Sequence, residues 1–516
     1  MSAVCLMLQG TSSNVGKSIL AAGLCRLLSR RGFKVAPFKS QNMALNSYVT
    51  RGGGEIGRAQ AVQAEAAGVE PAVDMNPILL KPKEDMTSQV IVMGTPLSDM
   101  GAAEYRRDYV PSALNVVKEA LQRLCFRFEV VIIEGAGSPA EVNLRERDIA
   151  NMEIALMAGA PVLLVADIDR GGAFASIIGT LELLSPGERN LVSGFLINKF
   201  RGDLNLLKDG LEFLEGRTGL PVLGVIPYVR DLGIDEEDSV SLLERRDRVE
   251  NSGGGEFILE IVVLRLPRIS NYTDFAPLEA EPDVNLRYVE HVGDIGNPHA
   301  VILPGTKSTT ADLEFLYSHG LAGRIKELFA DGTVLLGICG GFQMMGEELR
   351  DPVLTESDKY KLQQGLGIFP MDITYSSPKI ARQVEALISS HSSWGDLAGI
   401  NLEGYEIRHG VSEIKRQDMP SMDLTGGGNR EIIGLATRDM AAVGTYLHDL
   451  FHNDVFRRRW LNLLRRRKGL PPLKEENTID SRKRKEEAYD HLADVLEENI
   501  DLDRLYKILG VKGANR

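Results

Sequence analysis

The N-terminal half of the chain alternates short apolar runs with longer amphipathic stretches. Runs at Val4–Leu8, Val35–Phe38, Val130–Ile133, Val162–Val165, Phe195–Ile197 and Val222–Ile226 are rich in Val and Ile. Continuous hydrophobicity over so few residues marks strands buried on both faces, and helical patterns between them join such strands in parallel. Between the first two runs, Leu20, Leu24, Leu27 and Leu28 recur at helical spacing across Lys17–Arg31, and Gly32 follows as a helix stop. This βαβ theme predicts an α/β fold with a mostly parallel sheet.

The pattern breaks between Glu236 and Glu256, where charge is dense, periodicity is lost and Asn-Ser-Gly-Gly-Gly intervenes. Phe257–Leu266 then starts a fresh strand, continued by Val301–Leu303 and Val334–Ile338. From Asp454 the pattern is helical, and Leu492, Val495, Leu496 and Ile500 form one apolar stripe. The expected organisation is an α/β domain over 1–247, a linker over 248–256 and a second α/β domain over 257–516. The C-terminal helices are expected to pack on that second domain.

Composition narrows the function classes. A chain of 516 residues exceeds one ordinary core. Its 59 Lys plus Arg against 72 Asp plus Glu leave a net charge of −13, which argues against a dedicated nucleic-acid binder. The basic clusters Arg457–Arg459 and Arg465–Lys468 read as solvated helix faces around Trp460, Leu461 and Leu464. Cys5, Cys25 and Cys125 sit among apolar residues and read as small core residues, without metal or disulfide spacing. No basic-then-apolar leader opens the chain and no apolar run approaches about 18 residues, so a cytoplasmic protein without membrane partners is expected. No sequence feature sets an oligomeric state.

The first candidate site follows the first strand: Gly10-Thr11-Ser12-Ser13-Asn14-Val15-Gly16-Lys17-Ser18. Glycines allow close backbone approach, amides at a helix start bind phosphate, lysine adds charge and the Ser18 hydroxyl suits Mg²⁺. Five residues separate the glycines, one more than in the commonest form. That spacing resembles the loop of dethiobiotin synthetase and its relatives, ATPases that phosphorylate a carboxylate. Those proteins carry an acid in an E-G-A-G setting, and Glu134 stands in Glu134-Gly-Ala-Gly137 here, at a strand end where it could hold Mg²⁺. Glu55 is a second metal or substrate candidate, with a plain surface loop as the alternative. Asp167, Asp169 and Arg170 follow another strand and are substrate candidates. Asn198 follows the next, where its amide could read a nucleotide base. Ordinary polar strand-end loops are the alternative for both segments.

The second candidate site is Gly337-Ile-Cys339-Gly340-Gly341-Phe-Gln343, a strand running into G-x-C-x-G. This resembles a nucleophile elbow with cysteine in place of serine. The following helix N-terminus favours a thiolate, and backbone amides of Gly340 with Gly305 could form an oxyanion hole. A base is needed, and His448 is the best candidate by position. His391, His409 and His452 remain open. The motif is similar to class I glutamine amidotransferases, which implies a flavodoxin-like domain and a role for Gln343 in holding glutamine. That family usually has an acid two residues after the histidine, where this chain has Leu450, leaving the third member absent or supplied from elsewhere.

The two halves in this order resemble the cobyric acid synthase family of cobalamin biosynthesis. Gln41-Asn-Met, Glu55–Gln60, Asp74–Pro82, Asp167–Gly172, Asn198–Asp203, Arg265–Phe275 and Gly404-Tyr-Glu406 carry the resemblance along the whole chain. It implies amidation of the b, d, e and g carboxylates of a corrinoid, adenosylcobyrinic acid a,c-diamide, using ATP, Mg²⁺ and glutamine. The competing readings are a cobyrinic acid a,c-diamide synthase and a MinD- or ParA-like switch ATPase. The latter usually has an extra lysine early in the loop, where this chain has Thr11 and Ser12.

Overall fold

The computed structural model describes residues 3–84, 87–145, 148–229, 232–235, 259–354, 356, 359–375, 379–416, 418–425 and 431–511. It divides into two compact units, neither of which is one stretch of sequence. The first comprises Met1–Ala44, Glu55–Asp235 and Lys483–Arg516; the second comprises Leu45–Gly54 and Glu236–Arg482. The expected linker at 248–256 lies outside the described residues.

All six N-terminal apolar runs lie in strands of one sheet. These are β1 (Val4–Gly10), β2 (Val35–Phe38), β3 (Val130–Glu134), β4 (Val162–Asp167), β5 (Val192–Phe200) and β6 (Val222–Pro227). They pair in parallel throughout, in the order β6-β5-β4-β1-β3-β2. Both faces are covered, which is why the runs are continuous rather than alternating. Leu6 and Leu8 meet Leu20, Leu24, Leu27 and Leu28 of α1 (Lys17–Arg30) on one face. Met7, Val131 and Ile133 meet Ala113, Val117 and Leu124 of α2 (Val110–Arg127) on the other.

The C-terminal helices correct the expectation. Helix α3 (Ser481–Asn499) sets Ala493, Val495 and Leu496 into the same core as Leu20 and Leu24, in the first unit and not the second. Asp490 and Glu486 of α3 pair with Arg26 of α1 at 2.8 Å each. Periodicity identifies the face that must be buried, but it carries no information about the distant surface that buries it. Cys5 and Cys25 are buried as expected, whereas Cys125 is half-buried, its sulfur 3.7 Å from that of Cys5.

The second unit is built on β7 (Leu259–Leu264), β8 (Val284–Val289), β9 (Ala300–Leu303), β10 (Val334–Ile338), β11 (Ile380–Ile388), β12 (Asn401–Arg408), β13 (Ser421–Leu424), β14 (Ile432–Ala436), β15 (Ala442–Thr445) and β16 (Leu447–His448). The order is β8-β7-β9-β10-β15-β14-β13-β11-β12-β16, parallel from β8 to β15 and antiparallel thereafter. Both units are therefore α/β. A helix at Asp454–Arg467 follows; Arg466, Arg467 and Lys468 are exposed as expected of a solvated face, but three arginines of the basic clusters are not. Arg457 and Arg458 are completely buried and Arg465 nearly so. Arg457 and Arg458 bind Glu281, while Arg458 and Arg465 bind Asp283. A run of arginines cannot reveal in sequence that buried acids 175 to 182 residues earlier will neutralise it. Among the described residues, no helix is long and apolar enough to cross a membrane.

Candidate functional site

In the first unit, the C-terminal ends of β1, β3, β4 and β5 converge on the glycine-rich loop. Such sheet ends are where α/β folds bind ligands. The loop is tied on several sides. Thr11 N–H donates to Val165 O at 2.9 Å, and Lys17 Nζ donates to the carbonyls of Ser12 and Gly137 at 3.1 Å each. Asn14 and Gly16 hold positive φ of 60° and 96°, giving the loop its turn into α1. Asn198 Nδ2 donates to Val15 O at 2.8 Å, so this amide, expected to read a base, braces the loop. Lys199 Nζ likewise reaches Asn14 O at 2.7 Å.

Glu134 is buried at the end of β3, as its sequence setting suggests. Its Oε1 accepts from Ser18 Oγ at 2.8 Å and Lys39 Nζ at 2.9 Å, and its Oε2 from Gln63 Nε2 at 2.6 Å. Burial pushes its pKa up, but the Lys39 charge and the hydrogen bonds from Lys39, Gln63 and Ser18 outweigh burial and hold it below the ordinary value. A charged carboxylate and a hydroxyl thus converge beside a phosphate loop, with an ammonium on the same oxygen. This hard-oxygen pair fits Mg²⁺ chemistry. Lys39 and Gln63 were not among the residues singled out from sequence; no motif spacing marks them.

Glu55 is buried rather than on a surface loop, and its Oε1 pairs with Lys81 Nζ at 2.7 Å. Asp167 pairs with Lys199 at 3.0 Å and Arg170 at 3.9 Å, while Asp169 pairs with Arg201 at 3.0 Å. These three substrate candidates are therefore engaged with neighbouring charges beside the loop.

In the second unit, Cys339 follows β10 with φ 50° and ψ −108°, a strained conformation for a side chain-bearing residue. The fold holds it there: Cys339 N–H donates to Thr445 O at 2.8 Å, and its sulfur donates to Ile407 O at 3.0 Å. A side chain at Gly341 would place its Cβ 2.0 Å from Leu303 O, so the turn requires glycine. The helix after Cys339 is a single turn, Gly340–Met344. His448 is a hydrogen-bond partner of its sulfur.

His448 follows β15, the neighbour of β10, which brings it to the sulfur. Burial pushes its pKa down, but the charge and hydrogen bond of Asp274, with a smaller contribution from a hydrogen bond to Cys339, raise it from 6.5 to about 10. His448 Nδ1 lies 2.8 Å from Asp274 Oδ2. The ring stacks on Tyr405, with centroids 5.1 Å apart and planes 16° apart. His448, the candidate preferred from sequence, is hydrogen-bonded to Cys339. Asp274 was missed because it lies 174 residues before its partner.

Gly305 and Gly340 flank this pair. A Cβ at Gly305 would meet His448 Cε1 at 3.1 Å, and one at Gly340 would meet Thr306 Cγ2 at 2.7 Å. Gln343 is buried, accepting from Thr309 Oγ1 at 3.1 Å and Tyr375 OH at 3.2 Å and donating to His409 O at 2.8 Å. One further element meets this site. Leu45–Gly54 belongs to the second unit, with Ser47 N–H donating to Asn271 Oδ1 at 3.0 Å and Ser47 O accepting from Tyr405 OH at 3.2 Å.

Residues 6–242 match a profile described as a CobQ/CobB/MinD/ParA nucleotide binding domain, and residues 260–456 match a CobB/CobQ-like glutamine amidotransferase domain. The chain is 50% identical to the cobyric acid synthase of Moorella thermoacetica, over 98% of this chain and 97% of that one. It is 49% identical to the cobyric acid synthases of Desulforamulus reducens and Dehalococcoides mccartyi, over 98% of this chain and of each relative. Among solved structures, a glutamine amidotransferase aligns with 40% of this chain and 97% of its own at 15% identity and a TM-score of 0.29. At that score the likeness adds nothing to the assignment. Two profile matches in the expected order and half-identical relatives along essentially the full length establish that the chain belongs to the cobyric acid synthase family.

Proposed function

We propose that this protein amidates the b, d, e and g carboxylates of adenosylcobyrinic acid a,c-diamide, drawing nitrogen from glutamine and energy from ATP. The observation that carries the reading is the end-to-end match to cobyric acid synthases, with a cysteine elbow and a phosphate loop in the two units.

The glutaminase half starts from the Cys339–His448 pair. His448, oriented by Asp274 and hydrogen-bonded to Cys339, accepts the thiol proton as the sulfur becomes the nucleophile. The sulfur attacks the glutamine amide carbon, and the N–H groups of Gly305 and Gly340 receive the developing oxyanion. His448 returns its proton to the departing nitrogen, giving ammonia and a thioester, which water cleaves to glutamate. Gln343 supports the glutamine pocket.

In the amidoligase half, the loop from Gly10 to Ser18 and Lys17 hold the ATP phosphates. A substrate carboxylate oxygen attacks the terminal phosphorus, ADP leaves, and an acyl phosphate forms. Ammonia attacks its carbonyl carbon and phosphate departs, leaving the amide. Ser18 and Glu134 would hold Mg²⁺, which supplies charge neutralisation beside the phosphates when bound. Glu55 suits this role less, being committed to Lys81. Asn198 keeps the loop in shape for the nucleotide, and Asp167, Asp169 and Arg170 flank the acceptor side.

The test compares nitrogen sources. Cys339→Ala is expected to lose amidation of the diamide with glutamine and to retain it with ammonium salts. Loss with both sources, in protein that still binds ATP, would overturn the two-site reading.

A further inference from the structure

Position 450, where the related amidotransferases usually carry an acid, holds Leu450, which is fully buried in the apolar core of the second unit. The backbone accounts for this. Asp449 adopts φ 60° and ψ 21°, so the chain turns sharply after β16 and sends the next side chain inward. The same turn points Asp449 N–H at Asp274 Oδ1, 2.9 Å away. The other oxygen, Asp274 Oδ2, faces His448 Nδ1 at 2.8 Å.

Asp274 has no solvent exposure and sits on a short helical turn, Tyr272–Phe275. Both its oxygens are therefore engaged at fixed positions, one by backbone and one by the imidazole. Asn271, which opens the same turn with φ 53°, lies 3.5 Å from His448 Nδ1. The titratable groups around the ring are Asp274, Cys339 and Tyr405; the Asp449 carboxylate lies by His452 at 3.5 Å. No other carboxylate is paired with His448 among the described residues.

We propose that Asp274 is the positioning carboxylate of His448, replacing the acid missing at position 450. It fixes Nδ1 as a protonated nitrogen, leaves the other ring nitrogen for Cys339, and stabilises the imidazolium formed when the thiol gives up its proton. The inference rests on Cys339 being the nucleophile that opens glutamine. The sequence rule of a fixed offset fails here because the carboxylate comes from a different segment and meets the histidine only in the folded unit.

Asp274→Asn tests this, because it keeps shape while removing charge. Its glutaminase kcat is expected to fall on the order of 100-fold or more. The alkaline limb of its pH–rate profile should move to lower pH, while ammonia-dependent amidation persists. Asp274→Glu should recover part of the rate and restore the limb. Glutaminase kcat within threefold of wild type with an unmoved limb would overturn the proposal. Cys339→Ala separates the two readings: if that variant still hydrolyses glutamine, the nucleophile is wrong whatever Asp274 does. Should Asp274→Asn fail to fold, ¹⁵N-labelled histidine in the wild-type chain gives the answer, with His448→Gln assigning the signal. The His448 ring should stay doubly protonated through neutrality and lose its Nε2 proton only near pH 10, with Nδ1 keeping its own; titration near 6.5, or loss of the Nδ1 proton first, would contradict the proposal.

Discussion

Lys17 illustrates how one side chain can be ready for a ligand. Its ammonium is held between two carbonyls of the loop, Ser12 O and Gly137 O, where phosphate oxygens can take over the same donors. Lys17→Met keeps the aliphatic stem and loses the charge. ATP-dependent amidation is expected to fall by at least about 100-fold, with glutamine hydrolysis at Cys339 unchanged, as read by paired assays on one preparation. His448 carries a second residue-level prediction. Folding raises its pKa from 6.5 to about 10, so its stabilising contribution is complete below pH 6.5 and is lost as pH rises through 10. The melting temperature of the wild-type protein should therefore decline over that window more than that of His448→Gln. Equal slopes would contradict the assigned charge state.

At the scale of elements, what was legible in sequence was local. The six strands of the first sheet and the helix Lys17–Arg30 follow from runs and spacings within a few residues, and so do the turns carrying Lys17, Glu134 and Cys339. What was not legible depends on partners far along the chain. Helix α3 shows its apolar stripe in sequence, but not that Leu20 and Leu24 bury it. The helix Asp454–Arg467 shows its arginines, but not Glu281 and Asp283. Asp274 is hidden for the same reason. The arginine helix yields a quantitative contrast. Arg458→Ala takes one of two arginine partners from each of the buried Glu281 and Asp283 and should cost about 3–5 kcal/mol. Arg466→Ala removes a half-exposed pair with Asp396 and should cost less than about 1 kcal/mol. Urea unfolding followed by fluorescence of Trp394 and Trp460 checks both; equal losses would contradict the buried network.

Across the whole molecule, the chain leaves and re-enters each unit. Leu45–Gly54 belongs with the glutaminase residues and Lys483–Arg516 with the nucleotide loop, a division that a single boundary near residue 250 does not capture. The identity was nonetheless readable, because it rests on ordered blocks of side chains rather than on where domains end. Those blocks imply a reaction that neither unit performs alone: one frees ammonia, the other activates the carboxylate that receives it. The most direct measurement supplies purified protein with adenosylcobyrinic acid a,c-diamide, ATP, Mg²⁺ and amide-¹⁵N glutamine, and weighs the corrinoid products. Four successive one-amide additions, each carrying the label, are the expected result. No conversion of the diamide, or label-free amides, would contradict the account.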